Sequence, residues 1–299
     1  MSTFTLEQIK AYKKNGLLKN IAKQVYAIIE EAGRYSLSLR NKTQYKQKIF
    51  EEKDETCKVS DATLLADLAM ERFITMHLYK HFPDVPILSE ESQKINMGHQ
   101  NLGKTFFCLD PLDGSYCFAN NNDNYSIQLA LIVDGNPILG LSHFPLLDKT
   151  YIGGDGIPSH VLIKNQRSAI DLSKSIKTRD FVGAVSNASA NEEEVQEYLR
   201  TLGVKKFQRA RGCPNLASIL DSPCDIYPIF HTNFEWDVAA YDAIIRGADS
   251  THKSMLYSVY GEPLVYGKTD QTEPFKNTPL VATTNPILIK QIFASGKNQ

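Results

Sequence analysis

Residues 106–118, FFCLDPLDGSYCF, constrain the fold more than any other segment of this 299-residue chain. The apolar, aromatic-rich first part is typical of a buried strand. That strand is expected to stop at Asp110, because Pro111 cannot donate a hydrogen bond to a sheet. Asp113 and Gly114 then have the composition of a turn. The segment therefore predicts a buried strand that ends in a turn carrying two carboxylates.

Asp110 and Asp113 lie three residues apart across a rigid proline, so both carboxylates are expected to point into one small space. Like charges at that distance repel each other unless a cation lies between them. Magnesium prefers one or two carboxylates, water, and a backbone carbonyl such as that of Leu112. The N–H groups of Gly114 and Ser115, with the Ser115 hydroxyl, are typical of a phosphate site. For this hexapeptide alone, a solvated turn is the alternative interpretation.

Three more acidic residues lie at or near the ends of predicted elements. Glu90 follows a short apolar strand over residues 85–89, and Asp67 lies in a helical pattern over residues 61–74. Asp237 lies in the first turn of a predicted helix, where the helix dipole favours an anion. Taken alone, each has an ordinary explanation as a surface charge. Together they would supply carboxylates from separate segments to one site.

The set of acidic motifs resembles the inositol monophosphatase superfamily of magnesium-dependent, lithium-sensitive phosphomonoesterases. The motifs occur in that family's order and spacing, and the likeness spans about residues 58–285. They are Asp67, Glu90-Glu91, residues 110–115 and residues 236–240. Within the superfamily the chain is most similar to the 3'(2'),5'-bisphosphate nucleotidases, through residues 125–131, 138–145 and 224–228.

The resemblance implies an α/β (α+β) fold, the five-layer αβαβα sandwich of inositol monophosphatases and fructose-1,6-bisphosphatases. The alternation of strands and helices in the second half independently predicts a layered α/β architecture. The turn-rich residues 153–158 are the predicted boundary. Residues 1–155 would form an N-terminal α+β half with most metal ligands. Residues 156–299 would form a C-terminal α/β half that contributes Asp237 and substrate contacts.

The resemblance also implies two or three Mg²⁺ ions in one active site. The ligands of the first two ions would be Glu90, Asp110, the Leu112 carbonyl, Asp113 and Asp237. A third, weaker ion would lie between Glu90 and Asp67. The Ser115 hydroxyl, paired with Asp67, would orient or deprotonate the attacking water. Gly114, Ser115 and Asp237 would contact the substrate.

The implied substrate is 3'-phosphoadenosine 5'-phosphate, which would be hydrolysed to AMP and phosphate. The chain departs from the nucleotidase pattern near the substrate. Ser115 replaces a usual Thr, Tyr116-Cys117 replaces a Lys-Glu pair, and residues 212–215 replace a Gly-Ser-Ser segment. Tyr241 replaces a Gly that often closes the Trp-Asp-Ala-Ala-Gly motif. The alternatives are therefore an inositol (poly)phosphate 1-phosphatase and a catalytically inactive ligand-binding member of the fold.

Composition limits the partners of the chain. A net charge of −1 gives no field for binding nucleic acid or anionic membranes. The five cysteines form no C-x-x-C pair, and an odd number is typical of reduced thiols in the cytoplasm. The N-terminal residues lack a long apolar stretch, so we expect neither a signal peptide nor a transmembrane helix. The expected partner is a small phosphorylated metabolite, and the protein is expected to be a monomer or a homodimer.

Local patterns predict several further elements. Residues 6–32 are helical, with a break at Gly16 and a stop at Gly33. Residues 44–58 are predicted to form a mobile loop or a hairpin. Strands over residues 126–133 and 137–143 are joined by an Asp-Gly turn. In the second half we predict strands over residues 181–186 and 225–230, and helices over residues 192–202 and 237–247.

Overall fold

The computed structural model describes the helices and strands of most of the chain. It covers residues 3–13, 16–52, 61–94, 102–172, 180–186, 192–210, 216–221, 224–249, 255–269 and 272–296. The α-helices in these ranges are α1 (Leu6–Lys10), α2 (Leu17–Arg40), α3 (Leu65–His81), α4 (Glu90–Lys94), α5 (Ser115–Ala119), α6 (Glu192–Thr201), α7 (Ala217–Asp221), α8 (Glu235–Ala248) and α9 (Pro286–Gly296). Short 3-10 helices span Thr43–Lys46 and Pro145–Leu147.

The strands form one large sheet, one smaller sheet and one two-stranded sheet. In chain order they are β1 (Lys48–Glu52), β2 (Asp61–Leu64), β3 (Ile87–Ser89), β4 (Thr105–Asp113), β5 (Ser126–Val133), β6 (Asn136–Phe144), β7 (Lys149–Gly154), β8 (Ile157–Ile163), β9 (Gln166–Ala169), β10 (Val182–Val185), β11 (Lys206–Arg209), β12 (Ile226–Ile229), β13 (Met255–Ser258) and β14 (Leu280–Thr283).

The large sheet has the order β3-β4-β5-β6-β7-β8-β9. Its first pair is parallel and every following pair is antiparallel. The smaller sheet has the order β11-β10-β12-β14-β13, in which β11, β10 and β12 run parallel and the other two pairs are antiparallel. The strands β1 and β2 pair with each other.

Three hydrophobic cores separate the layers. The first lies between helices α2 and α3 and one face of the large sheet. The second lies between the other face of that sheet, α8 and the smaller sheet, and the third lies between the smaller sheet and helices α6 and α9. Strand β4 shows why its sequence is continuously apolar, since Phe107 faces the first core and Phe106 the second. This order of layers confirms the predicted αβαβα sandwich.

Most local predictions are confirmed. Gly16, with a φ of 65°, separates α1 from α2. Strands β5 and β6 meet at Asp134 and Gly135, whose φ values of 51° and 74° suit a two-residue hairpin turn. The predicted strands and helices of the second half correspond to β10, β12, α6 and α8.

The structure of residues 44–64 differs in part from the predicted loop or hairpin followed by a helix. Residues 48–52 of the predicted loop or hairpin form β1, but the partner strand β2 lies at residues 61–64, beyond the predicted segment, while residues 53–60 lie outside the described part of the chain. The helical pattern over residues 61–74 was extended too far towards the N-terminus. Residues 61–64 form β2 because they pair with β1, and α3 begins only at Leu65.

The predicted helix stop at Gly33 is wrong, since α2 continues through this residue to Arg40. A Cβ atom at Gly33 would lie well inside van der Waals distance of the His143 ring on β6. Glycine is therefore needed where the helix approaches the sheet closely. The Nδ1 atom of His143 lies 2.8 Å from Thr150 Oγ1, and burial lowers the pKa of His143 to about 4, so the ring is neutral at neutral pH.

The division of the chain into halves at residues 155 and 156 stays a prediction. Strands β8 and β9 follow that position and still belong to the large sheet. Among the described residues, no helix is both long enough and apolar enough to span a bilayer.

The close approach at Gly33 predicts the sign of a stability change. Gly33→Ala should lower the free energy of unfolding by about 1–3 kcal/mol, because the added methyl group overpacks the contact with His143. Urea unfolding followed by circular dichroism measures this change. Ser38→Ala, on the exposed side of the same helix, is the matched control and should change the value by less than about 0.5 kcal/mol.

A glycine in a helix interior normally destabilises it by about 1 kcal/mol relative to alanine. If Gly33→Ala raised the free energy of unfolding, helix propensity would dominate and the packing explanation would be wrong.

Candidate active site

Strand β4 does not stop at Asp110 as predicted but pairs with β5 as far as Asp113. Asp110 lies opposite Gln128 and Asp113 opposite Ser126, so β4 has one more residue than β5 between these two pairs. Residues three apart in a regular strand face opposite sides of the sheet. The extra residue changes this alternation and lets both carboxylates turn towards one side. Pro111 lies within the irregularity, where the ladder does not need its missing N–H group.

The structure brings Asp110 together with three further carboxylates. The parallel register of β3 and β4 pairs Ser89 with Leu109, so Glu90 follows directly alongside Asp110. Burial, first of all, and then the charges of Glu90, Asp113 and Asp237 raise the pKa of Asp110 well above its usual range. A hydrogen bond with Glu90 acts in the same direction. The side chain of Asp110 is only 2% exposed, so water screens this repulsion little.

Helix α8 brings Asp237 to the group. Asp237 is the third residue of the helix, and its Oδ2 atom accepts a hydrogen bond of 2.6 Å from the N–H of Phe234. The ring of Trp236 stacks on Phe234 with the centroids 4.8 Å apart, which anchors this end of the helix. The carboxylate thus caps the helix and at the same time faces Asp110.

Asp67 and Ser115 form a hydrogen-bonded pair. The Ser115 hydroxyl donates to Asp67 Oδ1 and also lies 3.1 Å from the carbonyl oxygen of Leu112. Asp67 is buried in the first turn of α3, where its Oδ2 accepts a hydrogen bond of 2.7 Å from Leu64 N–H. Gly114 precedes Ser115 with a φ of 87°, a conformation that favours glycine.

Glu71 holds the turn that carries Glu90, a role that sequence reasoning missed. One of its oxygens accepts hydrogen bonds from Ser89 Oγ at 2.5 Å and Ser92 N–H at 3.1 Å. The other accepts from the Ser92 hydroxyl. Glu71 lies one helical turn after Asp67, and that i, i+4 spacing is the sequence signal that could have identified it.

A buried amide group also holds the Asp113 carboxylate. Asp113 Oδ2 accepts a hydrogen bond of 3.1 Å from Gln128 Nε2. The same nitrogen lies 2.7 Å from Ser126 Oγ and 3.4 Å from the hydroxyl oxygen of Tyr241, to which the Ser142 hydroxyl donates at 3.0 Å. Burial is the main cause that raises the pKa of Tyr241, so its hydroxyl stays protonated at neutral pH. Gln128 is a polar residue in a mostly apolar strand and lies in the segment 125–131 that resembles the nucleotidases, but neither signal indicates its contact with Asp113.

The donor atoms of this site fit magnesium. All the facing side chains are carboxylates, and the repulsion that raises the pKa of Asp110 is relieved when a cation neutralises them. As they stand, no three His, Cys, Asp or Glu side chains among the described residues form a group that could hold a metal ion. Backbone N–H groups hold several of the oxygens instead, as for Asp110, whose Oδ1 accepts a 3.0 Å hydrogen bond from Leu112 N–H.

The positions that depart from the nucleotidase pattern differ in their surroundings. Residues 212–215, one of the departures from the nucleotidase pattern, lie outside the described residues. Tyr116 is 57% exposed next to Ser115, whereas the Cys117 thiol is buried. The structure therefore gives Cys117 a packing environment.

Comparison with known proteins identifies relatives of similar sequence. The 3'(2'),5'-bisphosphate nucleotidase CysQ of Aggregatibacter actinomycetemcomitans is 29% identical over 210 residues, which cover 69% of this chain and 75% of that protein. CysQ of Haemophilus influenzae is 27% identical over 256 residues, covering 85% of this chain and 90% of that protein.

Among solved structures, CysQ from Bacteroides thetaiotaomicron, a bacterial member of the inositol monophosphatase family, has a TM-score of 0.69 and 20% sequence identity. The match covers 90% of this chain and 98% of that chain, and at this identity it shows the shared fold. A sequence profile described as the inositol monophosphatase family matches residues 19–274, a range that contains every residue of the acidic site. The predicted family is therefore confirmed: this chain is a phosphatase that belongs to the inositol monophosphatase family.

Proposed function

We propose that this phosphatase is a Mg²⁺-dependent 3'(2'),5'-bisphosphate nucleotidase that hydrolyses 3'-phosphoadenosine 5'-phosphate to AMP and phosphate. The single observation that carries the reaction is the buried Asp110 carboxylate facing Glu90, Asp113 and Asp237. The family acts on small phosphorylated substrates and generally depends on a metal, usually Mg²⁺. The likeness to proteins named as CysQ nucleotidases supports the choice of substrate. A cytoplasmic location and a monomeric or homodimeric state remain predictions.

The acidic group would hold two or three Mg²⁺ ions. We assign to them Glu90, Asp110, the Leu112 carbonyl, Asp113 and Asp237, with Asp67 at the third, weaker site. When bound, the ions would stabilise charge on the phosphate oxygens and lower the pKa of the attacking water. Without them, the carboxylates would repel a phosphate.

Ser115 and Asp67 would handle the proton of the attacking water. Because the Ser115 hydroxyl donates its own proton to Asp67, its oxygen can accept a hydrogen bond from a water. Asp67 is held by Leu64 N–H in a buried position, so the pair is fixed before substrate binds. The N–H groups of Gly114 and Ser115, with Asp237, would contact the phosphate as charge develops on its oxygens.

One observation favours an inositol phosphate as the alternative substrate. The exposed ring of Tyr116 stands where the nucleotidases usually have lysine of a Lys-Glu pair. Losing that cation would weaken the binding of a second phosphate group. An inositol (poly)phosphate 1-phosphatase is therefore the second candidate, and a phosphate-release assay separates it from the first.

Phosphate release from purified protein tests the function directly. With Mg²⁺, kcat/KM should be higher for 3'-phosphoadenosine 5'-phosphate than for inositol 1-phosphate, inositol 1,4-bisphosphate or fructose 1,6-bisphosphate. EDTA should abolish release and added Mg²⁺ should restore it. Asp113→Asn should remove most of the turnover, whereas Asp84→Asn, at an exposed position, should retain it.

A higher kcat/KM for an inositol phosphate would move the protein to the inositol branch. Full activity in EDTA would overturn the metal assignment. No release from any of these substrates would favour a catalytically inactive, ligand-binding protein.

The Ser115–Asp67 contact predicts a non-additive pair of substitutions. Ser115→Ala should lower kcat by about a hundredfold, because general-base assistance is lost. Asp67→Asn should have a similar effect, and the double variant should be little worse than either single variant. Ser115→Thr, which keeps the hydroxyl and restricts χ1, should retain or modestly raise kcat. Steady-state kinetics at saturating Mg²⁺ measures all four variants.

Additive losses would contradict the pairing. Asp67 would then serve only the third metal, and Ser115 would act without it.

A further inference from the structure

Tyr241 occupies the core between the two main sheets at a position where the related nucleotidases often have glycine. It lies on α8 four residues after Asp237, and its side chain is completely buried. Its only polar side-chain atom accepts hydrogen bonds from Ser142 on β6 and, at 3.4 Å, from Gln128 on β5. A buried hydroxyl at this point therefore links the helix to the strand beside Asp113.

The Gln128 amide is oriented by what surrounds its nitrogen. Nε2 carries two hydrogens and faces three acceptors, which belong to Asp113, Ser126 and Tyr241. The other end of the amide, Oε1, is buried and has no hydrogen-bond partner among the described residues. The acceptors around Nε2 thus decide which way the amide points, and the present orientation directs a donor at Asp113.

We infer that Tyr241 is a positioning residue for Asp113 and acts through Gln128. This inference rests on the proposed function, in which Asp113 is a magnesium ligand. A donor aimed at one oxygen fixes the rotation of a ligating carboxylate, and hydrogen-bond partners of this kind tune metal affinity. Without the Tyr241 hydroxyl, Ser142 loses its acceptor and Gln128 loses one of the three contacts that orient its amide. Asp113 is then held less firmly.

Binding of Mn²⁺ alone, followed through the EPR signal of free Mn²⁺, tests this inference without substrate. Tyr241→Phe keeps the ring and should weaken binding by about three- to tenfold, less than the roughly tenfold or more expected for a direct partner of a metal ligand, because Tyr241 acts through Gln128. Gln128→Met should weaken it by about tenfold or more. Because Tyr241 acts through Gln128, adding Tyr241→Phe to Gln128→Met should cause no further loss.

Tyr266→Phe is the matched control. Tyr266 is also buried, and its hydroxyl donates a hydrogen bond of 3.0 Å to Asp242. Asp242 follows Tyr241 directly on α8. It should lower the thermal unfolding midpoint about as much as Tyr241→Phe but leave Mn²⁺ affinity unchanged. If Tyr241→Phe fails to fold, Ser142→Ala removes the partner of the same hydroxyl and should weaken Mn²⁺ binding in the same direction.

The outcomes separate this inference from the proposed function. Wild-type affinity in Tyr241→Phe, or equal losses in Tyr241→Phe and Tyr266→Phe, would overturn the positioning role and leave the phosphatase assignment intact. A further loss when the two substitutions are combined would overturn the route through Gln128. Failure of the wild-type protein to bind Mn²⁺ would overturn both the metal assignment and this inference.

Discussion

Mutual repulsion among buried carboxylates is the constraint on which the rest of the site depends. Asp110 is almost entirely shielded from water and faces three further acidic side chains, so its charged form is destabilised. If they were not held by the fold, these four carboxylates would move apart or take up protons. The fold holds them together with cores on both sides of β4. A site arranged in this way is suited to a divalent cation and to a phosphate bound through that cation.

A repeated local device fixes these carboxylates. Three of them accept a hydrogen bond from a backbone N–H in their own turn: Leu112 to Asp110, Leu64 to Asp67 and Phe234 to Asp237. For Asp67 and Asp237 the same bond also caps the helix that carries the residue. Formation of α3 and α8 therefore also orients the Asp67 and Asp237 carboxylates. Glu71, Gln128 and the hydroxyl group of Tyr241 add a second set of contacts around them.

The five-layer sandwich and the proposed ligand set came from the resemblance to a known family, whereas individual helices, strands and turns have local signals in the sequence. Turn residues, apolar runs and acidic residues at strand ends can be recognised from neighbouring positions. Two features could not be recognised in this way, because each depends on a partner distant in sequence. The irregularity at Pro111 depends on pairing with β5, and the continuation of α2 through Gly33 depends on its contact with His143. Support by Gln128 was missed for the same reason, since hydrogen bonds across strands have no sequence period.

Diffraction from crystals grown with Mn²⁺, recorded at a wavelength where manganese scatters anomalously, tests the central claim most directly. The account predicts anomalous peaks beside Asp110, with carboxylate oxygens of Glu90, Asp113 and Asp237 as ligands. Absence of any peak at this position with saturating Mn²⁺, or peaks only elsewhere on the protein, would contradict it.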